Sequence, residues 1–301
     1  MIVVGGPASN NLGELIAKTL NAKYVKVVHK LFPDGESYVR YPISISGEDV
    51  VIVQSTYYPQ DKHLMELFLM VEAAKDLGAK RVVSVVPYLA YTRQDKRFLE
   101  GEPISIKTVL RLLWHCGSDA LITVEIHKED SLKFFPGKAV NIHAMKPLAN
   151  YFKSKVMESE GIEPSDVVVL APDKGALNRA IEFSSIVGCE HDYLEKFRDR
   201  ITGEVKVKPK SLNVRDKIVV IVDDIISTGG TVALASNNVR EQGARKVYAI
   251  CAHALLVGNA LNKLKKAGVS SIIALNTLPT PEEVEVVDAS NDIAQALTTL
   301  V

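Results

Sequence analysis

Apolar positions along the first half of the chain fall into short runs that alternate with longer stripes. Residues 2–4, IVV, form a short apolar run that stops at Gly5-Gly6-Pro7. Asn10 or Asn11 can cap a following helix whose inward stripe is Leu12, Leu15, Ile16 and Thr19. Tyr24–Val28 and Tyr38–Ile43 read as strands on either side of Pro33-Asp34-Gly35, which has turn chemistry. VVIVQ at 50–54 has no polar alternation until its end and reads as a strand covered on both faces. Leu64, Leu67, Phe68, Val71 and Ala74 recur at helical spacing over Asp61–Leu77, and Gly78 sits where such a helix would stop. Then come a strand at Arg81–Val86 closed by Pro87, a charged, mobile segment over 88–103, and a short helix at Ile104–Trp114. A strand at Ala120–Ile126 ends at His127, a weaker one covers Asn141–His143, and Lys146–Glu158 is helical with Pro147 early in it.

The second half repeats the plan. Val167–Ala171 is a strand running into Pro172-Asp173-Lys174-Gly175, followed by a helix over Ala176–Val187. Residues 192–209 are charged, with paired-strand character at most. Lys217–Val222 is a buried strand with Asp223 and Asp224 at its carboxyl end, and a helix runs from near Gly230 to near Gly243. Val247–Cys251 and Ile272–Leu275 are strands around a helix at Gly258–Ala267, and the last helix covers about Ile293–Leu300. Strands alternating with helices imply α/β layers with mostly parallel sheets. An internal echo supports two related halves. Ala74-Lys75-Asp76-Leu77-Gly78-Ala79-Lys80-Arg81-Val82 and Arg240-Glu241-Gln242-Gly243-Ala244-Arg245-Lys246-Val247 each read as a helix end, a Gly, a basic pair and a strand. The boundary falls near 143–150, giving domains 1–145 and 146–301, with the last helix able to pack back on the first domain.

Length agrees with this division, since 301 residues suit two cores better than one. Lys plus Arg and Asp plus Glu are 36 each, so the basic excess of a nucleic-acid binder is missing. No window supplies the eighteen or so apolar residues of a membrane span. The start, MIVVGGPASNN, lacks a basic region before a long apolar run, so no signal peptide is expected. Cys116, Cys189 and Cys251 lie far apart, with neither metal spacing nor a disulfide framework, which fits a reducing compartment, the cytoplasm.

The strongest chemical signal is IVVIVDDIISTGGT at 218–231. A buried strand delivers Asp223 and Asp224 to the end of a parallel sheet, where open α/β sheets bind ligands. Ser227, Thr228, Gly229, Gly230 and Thr231 then lead into a helix, and backbone N–H groups with hydroxyls at a helix start bind phosphate without a Lys. Carboxylates beside a phosphate need a sugar hydroxyl or a bound Mg²⁺ to offset them. The combination suits a phosphorylated sugar. It is neither a Walker loop, since no Lys follows the glycines, nor a dinucleotide fingerprint.

This stretch resembles the 5-phosphoribosyl-diphosphate loop of the type I phosphoribosyltransferase fold. Three more stretches resemble ribose-phosphate diphosphokinases in particular. Phe32-Pro33-Asp34-Gly35-Glu36 is similar to their adenine-contacting loop, Tyr91-Thr92-Arg93-Gln94-Asp95-Lys96-Arg97 to their arginine-rich ATP segment, and Thr123-Val124-Glu125-Ile126-His127 to the strand that delivers a metal-site histidine. The residues make chemical sense in those roles. Phe32 can lie on a purine face, while Asp34 and Glu36 can accept from an amino or hydroxyl group. Arg93, Lys96 and Arg97 form a cationic cluster suited to a triphosphate, and Gln94 matches the same site.

The resemblance implies two tandem phosphoribosyltransferase-like domains, each with a mostly parallel central sheet flanked by helices. It implies transfer of the diphosphoryl group of ATP to the anomeric hydroxyl of ribose 5-phosphate. It implies Mg²⁺ held with His127 and Asp173, and Lys196 and Arg198 on a mobile loop over the transferring group, with His127 also catalytic. It implies a homo-oligomer, dimer or hexamer, in which the adenine loop serves the neighbouring subunit. Many family members carry Asp where this chain has Ser227, a departure that bears on divalent requirement and on sensitivity to phosphate and nucleoside diphosphates. Two rival readings stand beside this one: a phosphoribosyltransferase that consumes the activated sugar, and a non-catalytic regulatory partner of the synthase.

Overall fold

The computed structural model describes residues 1–198, 205–207 and 210–300, with backbone alone at 196–198 and 205–207. The chain divides into two compact units. Unit 1 comprises Met1–His143, Thr277–Pro279 and Asp288–Val301, and unit 2 comprises Ala144–Asn276 and Thr280–Val287.

Unit 1 starts with β1 (Ile2–Gly5), α1 (Leu12–Thr19), β2 (Lys23–Lys26), β3 (Val28–Leu31), β4 (Ser37–Arg40) and β5 (Asp49–Val53). It continues with α2 (Gln60–Asp76), β6 (Arg81–Val86), α3 (Ser105–His115), β7 (Ala120–Val124) and β8 (Lys138–Ile142). The sheet order is β2-β1-β5-β6-β7-β8, and every neighbouring pair is parallel. Layers on both faces explain the unbroken apolar runs: Val50, Val51, Ile52 and Val53 are all fully buried. Each such side chain contributes about 1.5–3 kcal/mol relative to exposure, which favours this register over a slipped one. Leu67, Met70, Val71 and Ala74 of α2 and Ile106, Leu110 and Leu113 of α3 face the same core.

Unit 2 comprises α4 (Met145–Tyr151), which runs through a π-helical segment, Phe152–Met157, into α5 (Glu158–Glu160). Next come β9 (Val167–Ala171), α6 (Leu177–Val187), β10 (Glu190–Tyr193), β11 (Lys196–Arg198), β12 (Val205–Val207) and β13 (Ile218–Ile226). Then follow α7 (Gly230–Glu241), β14 (Lys246–Ala254), α8 (Ala260–Lys266), β15 (Ser271–Leu275) and β16 (Val284–Val287). The order β10-β9-β13-β14-β15-β16, again parallel throughout, matches unit 1 strand for strand. The repeat seen in the short sequence echo is therefore a repeat of topology, with β6 and β14 in the same place. The last helix, α9 (Ser290–Thr298), packs on α1 within unit 1.

Several expected elements shift. The strand expected over Tyr24–Val28 is two, β2 in the main sheet and β3 in a separate hairpin with β4. The weak strand at 141–143 is a full member of the sheet, β8, because Lys138–Ile142 pairs along all of β7. Two edge strands, β10 and β16, were not anticipated. EHDY and VEVV are short and polar on one side, as edges are, and carry little periodic signal.

Candidate active site

In an open parallel sheet, ligands gather where successive connections leave in opposite directions. In unit 2 that point is between β9 and β13: the chain goes from β9 outward to β10, then returns to β13 on the other side. Pro172-Asp173 follows β9, and Asp223-Asp224 with the Ser227–Thr231 loop ends β13. The sequence expectation put both acids beyond the strand. Instead they lie within it, because the equally long β14 keeps pairing to Ile226↔Ala254. Asp223 shares its side with Cys251.

Asp224 is buried and Asp223 half-buried. The Asp224 N–H donates to Asp223 Oδ1 at 2.9 Å. Burial, the Asp224 charge and a hydrogen bond with its side chain hold the Asp223 carboxyl well above the usual carboxylate range, and Arg179 pulls it partly back. Burial, reinforced by the Asp223 charge, pushes the Cys251 thiol up, so this sulfur is an inert packing group. Arg179, in the first turn of α6, places Nη2 3.6 Å from Asp224 Oδ2, and both side chains are at most 14% exposed. Nothing in the sequence marked Arg179, which lies in an ordinary helical stretch away from any motif.

The loop after β13 has the form of a phosphate cradle. Gly229 takes a left-handed φ of +69° just before α7. A Cβ there would sit 3.2 Å from Leu264 Cγ of α8, so both backbone and packing require glycine. Thr228 and Gly230 are exposed, with Ser227 and Thr231 half-buried. The loop carbonyls are held from behind: Val257 N–H donates to Ser227 O at 2.9 Å. Lys263 Nζ, from α8, donates to Thr228 O at 3.0 Å. The motif itself lacks a lysine, but the fold supplies one from a helix more than thirty residues downstream. Sequence spacing offered no signal for it.

Asp173 is half-exposed, and its Oδ1 accepts the Gly175 N–H at 2.8 Å, capping a short turn. His127 is also half-exposed. Its strand ends earlier than expected, at Val124, because Glu125 turns through a left-handed φ of +43°. Among the described residues no group of three or more His, Cys, Asp and Glu side chains is placed to hold a metal alone. Mg²⁺ seldom asks for such a cage, since it is commonly held by one or two carboxylates with substrate phosphates and water. A half-exposed Asp173 at a strand end fits that use.

In unit 1, Phe32-Pro33-Asp34-Gly35-Glu36 is the tip of the β3–β4 hairpin. Phe32 N–H donates to Glu36 O at 2.8 Å, and Asp34 Oδ1 accepts the Glu36 N–H at 3.2 Å. Phe32 stays 41% exposed, edge-on to Tyr38, with Lys30 Nζ 5.0 Å from its ring. The segment expected to meet ATP, 91–97, leaves the carboxyl end of β6 and is organised by Glu102. Glu102 Oε2 accepts from Phe98 N at 2.7 Å, Leu99 N at 3.0 Å and Gln94 Nε2 at 3.1 Å. Those donors depress the Glu102 carboxyl below the usual range. Arg97 Nε donates to Glu102 O at 2.9 Å, and Lys96 Nζ lies over the Phe98 ring. Of the four residues singled out here, Gln94 is half-buried and Arg93, Lys96 and Arg97 are exposed. Tyr91, at a left-handed φ of +65°, donates its hydroxyl to Asp61 on α2. Lys196 and Arg198 fall on β11, paired antiparallel with β12; their side chains lie outside the described residues.

Two tandem parallel-sheet units, one ending its switch-point strand in an acidic pair and a Gly-Gly phosphate loop, define a protein of the type I phosphoribosyltransferase fold. Comparison with known proteins narrows the class. Residues 1–117 match the family model described as the N-terminal domain of ribose phosphate pyrophosphokinase, and residues 140–288 match the phosphoribosyl transferase domain. A ribose-phosphate pyrophosphokinase of Saccharolobus solfataricus is 45% identical over 299 residues, covering 99% of this chain and 100% of the relative. One from Pyrococcus furiosus is 43% identical over 281 residues, 93% of this chain and 95% of the relative. The crystal structure of phosphoribosylpyrophosphate synthetase from Mycobacterium smegmatis superposes with a TM-score of 0.88 at 30% identity, over 99% of this chain and 98% of that one. The chain belongs to the ribose-phosphate pyrophosphokinase family.

Proposed function

We propose that the phosphate cradle and acidic pair of unit 2, with the nucleotide loops of unit 1, carry out the reaction of this family. The chain is a ribose-phosphate diphosphokinase. It transfers the diphosphoryl group of ATP to the anomeric hydroxyl of ribose 5-phosphate, giving 5-phosphoribosyl 1-diphosphate and AMP.

The sugar phosphate rests on Ser227, Thr228, Gly229, Gly230 and Thr231, with its 2- and 3-hydroxyls donating to Asp223 and Asp224. Adenine lies against Phe32, with Asp34 and Glu36 accepting from it, and the phosphates face Arg93. Gln94, Lys96 and Arg97 meet the same phosphates, and Gln94 and Arg97 are also tied to Glu102. The anomeric oxygen attacks the β-phosphorus in line. The new O–P bond forms as the bond from the β-phosphorus to the bridging oxygen breaks, and AMP leaves with that oxygen and the bonding pair. Positioning and charge stabilisation dominate such transfers. Lys196 and Arg198 meet the negative charge of the transferring group. The reaction depends on Mg²⁺ and ATP, as family membership implies. His127 and Asp173 are the proposed protein donors, and the ion neutralises charge on the phosphate oxygens when bound.

The observation that carries this reading is the acidic pair and phosphate loop at the β9/β13 switch point. AMP release should require ATP, Mg²⁺ and ribose 5-phosphate together. AMP formation without ribose 5-phosphate, or base-dependent consumption of the activated sugar, would favour another activity. The division by role follows: residues 1–145 for the nucleotide and 146–301 for the sugar phosphate, with α9 returned to the first.

A homo-oligomer, dimer or hexamer, is the proposed assembly. A groove of about 370 Å³ between α2 and α3, with Met65 and Leu112 exposed beside it, supports self-association. Light scattering on the purified chain tests it. Among the described residues no helix is long and apolar enough to cross a membrane. Three free cysteines support the cytoplasm as the compartment.

A further inference from the structure

Glu66 is fully buried in unit 1 and belongs to no loop assigned to substrate. Its carboxylate collects partners from three other elements. Ser37 Oγ, on β4, donates to Oε1 at 2.8 Å. His29 Nε2, on β3, lies 2.8 Å from the same oxygen, off good hydrogen-bond alignment. Gln54 Nε2, just after β5, donates to Oε2 at 3.3 Å. Lys62, one turn back on α2, brings Nζ to 3.5 Å. Gln54 is itself fixed, accepting the Ala8 N–H at 2.8 Å.

A buried carboxylate is costly unless its partners converge on it. Here they come from both strands of one hairpin and from the carboxyl end of the interior strand β5, so the charge imposes a relative placement on all of them. The hairpin needs that. The β3–β4 pair is separate from the main sheet, and a two-stranded hairpin alone is marginal in water. Its polar ties to α2 among the described residues include the Glu66 contacts and the Tyr41 hydroxyl, which donates to Met70 O at 2.6 Å. Ser37 directly follows the turn, and His29 stands opposite Val39 on the neighbouring strand. The same helix anchors the ATP segment through Asp61 and Tyr91.

We propose that Glu66 is a positioning residue for the nucleotide: from inside the core it sets the placement of the Phe32–Glu36 turn. This rests on the reading of that turn as the adenine contact, and the test separates the two. In the full chain, E66A should raise the KM for ATP about tenfold, and E66Q, which keeps size and an acceptor, about threefold. The kcat at saturating ATP and the KM for ribose 5-phosphate should stay within about twofold of the parent. F32A is the companion variant. If Glu66 works through the turn, the ATP losses of E66A and F32A should be less than additive in E66A/F32A. If F32A weakens ATP and neither Glu66 variant does, the positioning role is overturned while the adenine reading stands. If F32A leaves ATP untouched, the adenine reading falls and takes this inference with it. A uniform loss of kcat and of both substrates in E66A and E66Q, with a lowered melting temperature, would reduce Glu66 to a stability role. Should E66A not fold, E66Q and S37A carry the same comparison.

Discussion

Arg179→Met removes the cation beside the acidic pair while keeping an unbranched, apolar stem. At 3.6 Å and an effective dielectric of about 20, the attraction between Arg179 and Asp224 is about 5 kcal/mol. Part of that is offset, because the variant no longer desolvates a guanidinium in a site where Arg179 is 14% exposed. A net loss of about 2–3 kcal/mol remains, roughly 30- to 150-fold. If Asp223 and Asp224 receive sugar hydroxyls, that loss should appear in kcat/KM for ribose 5-phosphate and spare ATP binding. A second readout is pH. Arg179 pulls the Asp223 carboxyl down, so its removal should move the acid limb of the ribose 5-phosphate profile to higher pH. The two acids titrate as a pair, and the limb reports the pair. Arg179→Lys should restore part of both effects, since it returns the charge without the planar fork. AMP release with each substrate varied, across pH, measures all of this. An unchanged acid limb with equal losses for both substrates would refute the assignment.

Asp223→Asn should abolish activity yet raise the melting temperature at about pH 8. A carboxyl held above its unfolded value costs stability as pH rises from the ordinary carboxylate range through the folded value, so the gain should vanish near about pH 3. Each kcal/mol should appear as roughly 2–4 °C by calorimetry. Lys263→Met should weaken ribose 5-phosphate about three- to tenfold and leave ATP unchanged, because Lys263 grips the back of the loop at Thr228 O. Titration calorimetry with each ligand decides it. Lys196→Ala should lower kcat about a hundred- to thousandfold, with equilibrium ATP binding changed far less. Single-turnover AMP release and binding on the same variant would expose a mere ground-state contact, in which both fall together.

Central strands and the phosphate loop were legible because their physics is local. A strand buried on both faces must be apolar throughout, so VVIV and IVVIV announce themselves. A glycine at φ +69° before a helix leaves its mark as Gly229 whatever surrounds it. Edge strands escaped because half their surface faces water and their pairing is set by the neighbour. β8 became a strand because β7 offered a ladder, not because KAVNI alternates. Arg179, Lys263 and Glu66 escaped for a related reason. Each acts through a partner distant in sequence, and a single charged residue in a helix looks like ordinary surface until the fold brings that partner to it. The extent of β13 was misjudged likewise: two carboxylates look like the end of a strand, but β14 pairs past them.

The two units raise the question of why one topology, used twice, makes one phosphate cradle. The position in unit 1 equivalent to Asp223–Thr231 is the passage from β5 to α2, Gln54-Ser55-Thr56-Tyr57-Tyr58-Pro59. It has polar groups but turns them inward. Gln54 is held by Ala8 and Glu66. The Thr56 hydroxyl donates to Tyr88 O at 3.0 Å and accepts the Ala90 N–H at 2.7 Å. Ser55 Oγ accepts the Tyr88 N–H at 3.2 Å and donates to Thr277 O at 2.5 Å. Even the glycines serve this closure: a Cβ on Gly6 would lie 2.4 Å from Gln54 Oε1. Donors and acceptors that satisfy one another have no capacity left for an anion, and no glycine precedes α2 to bare its N–H groups. The equivalent strand end in unit 2 leaves Thr228 and Gly230 at the surface. Unit 1 instead presents loops inserted elsewhere, after β3 and after β6, and mounts both on α2 through Glu66 and Asp61. On the proposed reading the switch point binds in one copy of the fold; in the other, Gln54, Ser55 and Thr56 are buried there and the proposed nucleotide loops lie elsewhere.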